Sequence, residues 1–251
     1  MTRATVTFVT QFLVGGSASR RRVAVMAHRG ASRAERENTL VAFRRAASMG
    51  ADAVELDVRR TRDGELVVHH DPKLADGRAI VDVRRSDLPD HIPGLSEALD
   101  ACGSMWVNVE IKNDPSEADF DPTDDVAEQV ARALRARATP ARFLVSSFRR
   151  ETIDRFRSVA PDIATALLTA DPHLADGAAI LDSLHAAGHA AIHPWYGLAT
   201  AELVAGAHQR GIAVNVWTCD VPDDMRALIA VGVDGICTNV PDVALVVVAD
   251  G

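Results

Sequence analysis

The chain has 251 residues, 47% of them hydrophobic, which is enough to bury a large core. That length suits a single α/β barrel of about 250 residues. A formal net charge of −8 argues against a protein built to bind nucleic acid or an anionic membrane surface. Cys102, Cys219 and Cys237 are odd in number, widely spaced and set among apolar neighbours. They are expected to be small buried hydrophobes in a reducing compartment, not a disulfide framework or a zinc site.

Residues 1–22 place Arg3 ahead of a moderately apolar stretch, 4–16, and then Ser17-Ala18-Ser19, the outline of a secretory signal. Thr5, Thr7, Thr10 and Gln11 interrupt the apolar part. The preferred reading is a tail on a cytoplasmic protein, with one domain over 23–251; export is the alternative. No run approaches the roughly 18 apolar residues that span a bilayer, so no stable membrane anchor is expected.

From residue 23 the chain alternates strands and helices. Residues 23–27 form an apolar strand ending in His28-Arg29-Gly30. Asn38-Thr39 caps a helix with Leu40, Phe43 and Ala47 on one face and Gly50 as its stop. Residues 53–58 form the second strand, with Glu55 and Asp57 on one face because side chains alternate. Asp63-Gly64 signals a two-residue hairpin loop. That register would put Thr61 opposite Leu66 and Asp57 opposite His70, with His69 turned away. Residues 66–69 then form an antiparallel return arm. An irregular stretch, 71–94, and a short helix, 96–101, lead to a third strand, 106–112, which presents Glu110 and Lys112 on one face. Further strands are expected at 143–148, 163–168, 190–193, 212–218 and 234–238. The helices between and after them are expected at 124–138, 152–159, 178–187, from Thr200 to Gly211, at 222–231 and from Pro241 onward.

Leaving out the return arm, this is a single (β/α)8 TIM barrel with an extra β-hairpin arm after its second strand. A doubly wound open sheet is the alternative, but no Gly-rich phosphate loop follows any strand. Chemistry in such a barrel sits at the C-terminal ends of the strands. Those ends carry His28 and Arg29; Glu55 and Asp57; Glu110 and Lys112; Ser146-Ser147-Phe148; His193; Trp217-Thr218; and Thr238-Asn239. Three inward carboxylates, Glu55, Asp57 and Glu110, need compensating cations from Arg29, Arg59 or Lys112, or a metal. An all-oxygen set suits a hard divalent cation, Ca²⁺ or Mg²⁺, better than zinc.

Taken together, His28-Arg29-Gly30, Glu37-Asn38-Thr39, Glu55-Leu56-Asp57, Thr61-x-Asp63-Gly64, His70-Asp71 and Val109-Glu110-Ile111-Lys112 resemble the glycerophosphodiester phosphodiesterases. Ile92-Pro93-Gly94-Leu95, Ser146-Ser147-Phe148, Trp217-Thr218 and the segment 232–238 extend the likeness over about residues 23–245. The resemblance implies a barrel, a divalent metal, and hydrolysis of glycerophosphodiesters to an alcohol and glycerol 3-phosphate. Residue by residue, it implies that Glu55, Asp57 and Glu110 are metal ligands and that His28 and His70 are the catalytic acid/base pair. It further implies that Arg29 and Lys112 are the cations near the phosphate. Phe148 and Trp217 are read as walls of the substrate site, with barrel packing as the alternative; His69 is read as structural, and His193 as a rim contact or a packing residue.

Some positions depart from the family pattern. Glu37 stands in place of a common proline, Cys219-Asp220 in place of Val-Asn, and Asn239 in place of an aspartate. The stretch 71–92 is short for the family, so the site is expected to be open enough to admit a lysophospholipid. Two rival readings are a lipid-directed phospholipase D or C on the same barrel and a catalytically silent barrel that binds phosphorylated ligands. The intact histidines and acids speak against the silent one. The expected partner is a small glycerophosphodiester or lysophospholipid, and no partner protein is indicated.

Overall fold

Strands that are apolar on both faces must be covered on both faces, and the computed structural model shows how this chain does it. It describes residues 22–171 and 177–250; the signal-like segment at 1–21 lies outside the described residues. The strands are β1 (Ala24–Ala27), β2 (Ala53–Arg60), β3 (Leu66–Val68), β4 (Trp106–Ile111), β5 (Phe143–Ser147), β6 (Ala164–Thr169), β7 (Ala191–Pro194), β8 (Ala213–Val216) and β9 (Gly235–Thr238). The helices are α1 (Leu40–Met49), α2 (Leu95–Ala101), α3 (Asp125–Arg135), α4 (Arg150–Val159), α5 (Ala178–Ala187), α6 (Ala201–Gln209), α7 (Pro222–Val231) and α8 (Pro241–Ala249).

All strands but β3 pair in parallel around a closed 8-strand ring, β1-β9-β8-β7-β6-β5-β4-β2. Pairing of Met26 with Ala53 and of Ala27 with Val54 closes it. The fold is therefore the expected (β/α)8 barrel, and closure excludes the open doubly wound sheet. The caps are those the residues suggest. Thr39 Oγ1 accepts from Ala42 N at the start of α1, Thr200 Oγ1 accepts from Leu203 N at the start of α6, and Gly50 ends α1 with φ +88°.

Alternation sorts each strand's residues between two compartments. Leu56, Val58, Val109 and Ile111 point outward and pack with Phe43, Val130, Leu134 and Phe156 of the helices. Val25, Val214, Val216 and Ile236 do the same against Leu203, Met225 and Leu228 on the other side. Each large aliphatic side chain so buried contributes about 1.5–3 kcal/mol. The barrel interior is filled by smaller groups, among them Ala164, Ala166, Ala191 and Ala213, with Met26, Ala53 and Cys237 nearby. Glu55, Asp57 and Glu110 share the inward parity and form the interior's polar upper layer. The three cysteines are buried free thiols, and burial pushes the Cys102 thiol up to about 12.

The hairpin departs from the expected register. Val58 pairs with Val68, Arg59 with Val67 and Arg60 with Leu66, one residue off a two-residue loop. The cause is Thr61. Its N–H donates to Glu65 O, and its hydroxyl accepts from Glu65 N at 3.0 Å and donates to Asp63 Oδ1 at 2.7 Å. The loop is thus Arg62-Asp63-Gly64, with Gly64 at φ +84° in the left-handed position that three-residue hairpins require. Asp57 consequently faces His69, whose N–H donates to Asp57 O at 3.0 Å, and not His70. A one-residue slip exchanges the faces of a continuing strand, but β3 ends at Val68 and the chain turns. His70 still enters the barrel mouth, and His69 lines a separate cavity with Arg36 and His91.

Candidate active site

His28 extends the β1 pairing by one residue, its N–H donating to Thr238 O at 2.9 Å. The chain then bends sharply, with Arg29 at φ +56° and Gly30 at φ +84°. A Cβ at Gly30 would lie 2.7 Å from the Ala42 backbone, so only glycine lets this turn pack on α1. The bend aims the Arg29 N–H at Glu55 Oε2, 2.9 Å away, and its guanidinium at Asp57, Nε to Oδ2 3.2 Å. Glu37 holds the guanidinium's outer side at 3.0 Å.

Glu55, Asp57 and Glu110 each offer an oxygen within 4.8 Å of the others, and all three are buried. Lys112 Nζ bridges Asp57 Oδ1, at 2.9 Å, and Glu110 Oε1. Asn38 donates from Nδ2 to Asp57 Oδ2 at 2.7 Å. Arg59, offered by the sequence as a third neutralising cation, does not touch the acids; it binds Glu117 and Asp119.

Three carboxylates thus face two cations, and the mismatch falls unevenly. For Asp57 burial acts upward most strongly, but Lys112 and Arg29 together outweigh it and hold the acid below the usual carboxylate range. Burial, then Asp57 and Glu110, push Glu55 well above that range. Burial likewise lifts Glu110 to about 7 against the pull of Lys112. Glu55 Oε1 is buried with no hydrogen-bond partner among the described residues. A buried, partnerless oxygen in an all-oxygen cluster with an excess of acid fits a hard divalent cation.

The two imidazoles flank this cluster. His28 Nδ1 donates to Asn239 Oδ1 at 2.7 Å and Nε2 stands 3.9 Å from Glu55 Oε2. His70 Nδ1 pairs with Asp71 Oδ1 at 2.7 Å. Burial and then Arg29 lower the His28 pKa; burial and then Lys112 lower that of His70. A cavity of about 120 Å³ brings together His28, Arg29, Glu55, His70, Glu110 and Lys112, with Phe148 and Trp217 as its apolar wall. Those two rings meet edge to face at 5.3 Å.

The model of the glycerophosphoryl diester phosphodiesterase family matches residues 28–243. The chain belongs to this family. Glycerophosphodiester phosphodiesterase of Caldanaerobacter subterraneus subsp. tengcongensis is 31% identical over 250 residues, 90% of this chain and 98% of the relative. The enzyme of the same name from Bacillus altitudinis is 31% identical over 245 residues, 88% and 96%. The crystal structure of Thermotoga maritima glycerophosphodiester phosphodiesterase aligns with a TM-score of 0.77 at 25% identity, over 90% of this chain and 99% of that one. As a member of the family, the protein is a phosphodiester hydrolase.

In this phosphodiesterase the sequence reading leaves several supporting residues without a role. Asn38 reads as a helix cap, yet it steadies Asp57; its φ of +55° suits asparagine and frees its side chain to reach inward. Asn239 and Asp220 read only as departures from the family pattern, yet they meet each other and fix His28. Asp220 accepts from Asn239 Nδ2 at 2.7 Å, from Asn239 N at 2.8 Å and from Thr238 Oγ1 at 2.9 Å. His193 lines the same cavity as a buried, packed side chain. It is 3% exposed, accepts from Asn215 Nδ2 at 2.9 Å, and is held neutral by burial, its pKa near 3. Its carbonyl accepts from Trp217 Nε1 at 2.7 Å, which fixes the wall of the site from below.

Proposed function

We propose that this phosphodiesterase hydrolyses glycerophosphodiesters to glycerol 3-phosphate and an alcohol, with a divalent cation on Glu55, Asp57 and Glu110 and with His28 and His70 moving the protons. The observation that carries this reading is the meeting, in a chain of this family, of the His28 and His70 imidazoles, two cations, Glu55 and Glu110 on one small cavity, with Asp57 clustered against those two acids. The oxygen-only donor set favours Ca²⁺ or Mg²⁺. Bound there, the cation supplies positive charge to an anionic phosphoryl group.

The chain's own residues account for the rest. Arg29 and Lys112 offer fixed positive charge where charge develops on the phosphoryl oxygens. With Nδ1 engaged by Asn239, His28 keeps Nε2 free for proton transfer; His70, engaged by Asp71, is arranged alike. One imidazole takes the proton of the nucleophile, water or the glycerol 2-hydroxyl. The other delivers a proton to the leaving alkoxide. Phe148 and Trp217 limit water around the reacting group. The test is glycerophosphocholine hydrolysis with and without EDTA. Chelation is expected to abolish it, and His28→Ala and His70→Ala each to lower kcat by about 10²-fold or more. Activity that survives both EDTA and His70→Ala overturns the reading.

One observation favours a lysophospholipid as a second substrate. Phe148, in the cavity wall, is 46% exposed, and Trp195, whose backbone bridges to that of the wall residue Trp217, is 42% exposed. Comparison of rates on lysophosphatidylcholine and glycerophosphocholine decides this; strict preference for the latter removes it. We read residues 23–251 as one catalytic domain, and the three buried thiols support residence in the cytoplasm. No helix among the described residues is long and apolar enough to cross a membrane.

A further inference from the structure

Outside the acid cluster, the most deeply buried Arg or Lys among the described residues is Arg59, 1% exposed, on the same face of β2 as Glu55 and Asp57. Its guanidinium has two sets of partners. Nε and Nη2 donate to the backbone carbonyl of His70 at 2.8 and 2.5 Å. Nη1 and Nη2 grip Glu117 at 2.8 and 3.1 Å, and Nη1 also meets Asp119 at 2.7 Å. Two carboxylates on one buried guanidinium are far more than a single cation needs for neutralisation, and the fork geometry fixes its plane.

The loop that supplies those carboxylates is itself held. Asn113, buried after β4, donates to Asp121 O at 3.0 Å and to Asp124 Oδ1 at 2.7 Å, and accepts from Asp121 N at 2.8 Å. The segment that carries His70 leaves the sheet just before that residue. β3 is three residues long, and its last ladder-like bonds are Val68 N to Pro93 O and His69 N to Asp57 O. Immediately beyond them, the His70 carbonyl is anchored by Arg59.

We propose that Arg59, clamped by Glu117 and Asp119, is a positioning residue that fixes the backbone of His70 and so sets its imidazole over the acid cluster. The assignment rests on the catalytic role proposed for His70. Misplacement of a proton-transferring group by about 1 Å lowers turnover steeply. Arg59 therefore acts on kcat through His70, while Glu55, Asp57 and Glu110, which it does not touch, keep their affinity for a cation.

The experiment is a double-mutant cycle on the Ca²⁺- or Mg²⁺-loaded enzyme with glycerophosphocholine. Arg59→Lys keeps the charge and loses the two-pronged grip. It is expected to lower kcat about 10-fold or more, to leave KM within about 3-fold, and to change kcat less than about 2-fold in a His70→Ala background. An equal loss in both backgrounds, or full kcat in a folded Arg59→Lys protein, overturns the proposal. Should Arg59→Lys not fold, Glu117→Gln and Asp119→Asn, which loosen the clamp from the other side, enter the same cycle with the same criteria. The ¹³C carbonyl resonance of His70 provides a readout independent of activity: it is expected to move on Arg59→Lys, and an unmoved signal overturns the contact itself. Unimpaired turnover by His70→Ala, with that resonance shifted, would instead count against the catalytic reading and leave the clamp standing.

Discussion

Asp220 holds the side-chain amide of Asn239 in one orientation. Its Oδ2 accepts from Asn239 Nδ2 at 2.7 Å while its Oδ1 takes the Asn239 backbone N–H at 2.8 Å. The amide oxygen therefore points to His28 Nδ1, and that nitrogen must carry the proton. An asparagine alone could present either end to the ring; the neighbouring carboxylate removes the choice. The two positions read from the sequence as departures, Asp220 and Asn239, are thus in direct contact, and the carboxylate stands one residue behind the group that meets the imidazole.

Breaking that pair is expected to act on His28. Asp220→Asn removes the acceptor that orients the amide, and is expected to lower kcat on glycerophosphocholine about 10-fold with little change in KM. The double exchange Asp220→Asn, Asn239→Asp places a carboxylate directly on Nδ1 and is expected to recover most of the loss. A single Asp220→Asn variant as active as the wild type, or a double variant worse than the single, would contradict the pairing.

How far this site is legible in the sequence depends on the physics involved. Alternation along an apolar strand puts Glu55 with Asp57 and Glu110 with Lys112, because neighbouring parallel strands share one inward face. The hairpin shows where this reasoning fails. Asp63-Gly64 favours a two-residue loop, but the Thr61 hydroxyl accepts from Glu65 N and draws in a third loop residue. The register moves by one, and His70 reaches the barrel mouth only because the strand stops and Arg59 takes its carbonyl. Contacts between distant loops, such as Arg59 with Glu117 or Asp220 with Asn239, carry no local period from which they could be read.

The acid cluster makes a prediction about stability as well as activity. Without a cation, Glu55 is a buried acid beside two others, and burial with like charge disfavours its ionised form. Glu55→Gln is therefore expected to leave the EDTA-treated protein at least as stable as the wild type. A cation that binds only the folded state should stabilise the wild type by about 2.7 kcal/mol at a hundred times its Kd. That gain should vanish in Glu55→Gln and in Glu110→Gln. Thermal melts across a Ca²⁺ or Mg²⁺ series check this; a metal-dependent rise in Tm that persists in Glu55→Gln removes Glu55 from the ligand set.

The apolar rim can be tested without touching the proton-transfer residues. Trp195 is exposed and stacks at a tilt on Tyr196, 5.2 Å between centroids. If the rim carries an acyl chain, Trp195→Ser removes part of that surface and is expected to lower kcat/KM for lysophosphatidylcholine about 5-fold or more. The value for glycerophosphocholine should stay within about 2-fold. Equal effects on both substrates would show that the ring supports the fold of the rim and not the lipid.

His193 gives the pH dependence of folding a definite sign. Burial lowers its pKa from 6.5 to about 3, so the folded state keeps the ring neutral while the unfolded chain protonates it near 6.5. Stability is therefore intact above pH 6.5 and falls as pH drops through the window between the two values, where the unfolded chain binds the extra proton. The slope from one such group is about 1.4 kcal/mol per pH unit, or about 2 kcal/mol between pH 6.5 and 5. His193→Gln retains an acceptor for Asn215 Nδ2 and cannot titrate. Urea unfolding at pH 7.5 and pH 5 is expected to show the wild type losing about 2 kcal/mol more than His193→Gln over that interval. Parallel losses in the two proteins would mean that His193 is already solvated and charged in the folded state at pH 5, contrary to its place beneath Trp217.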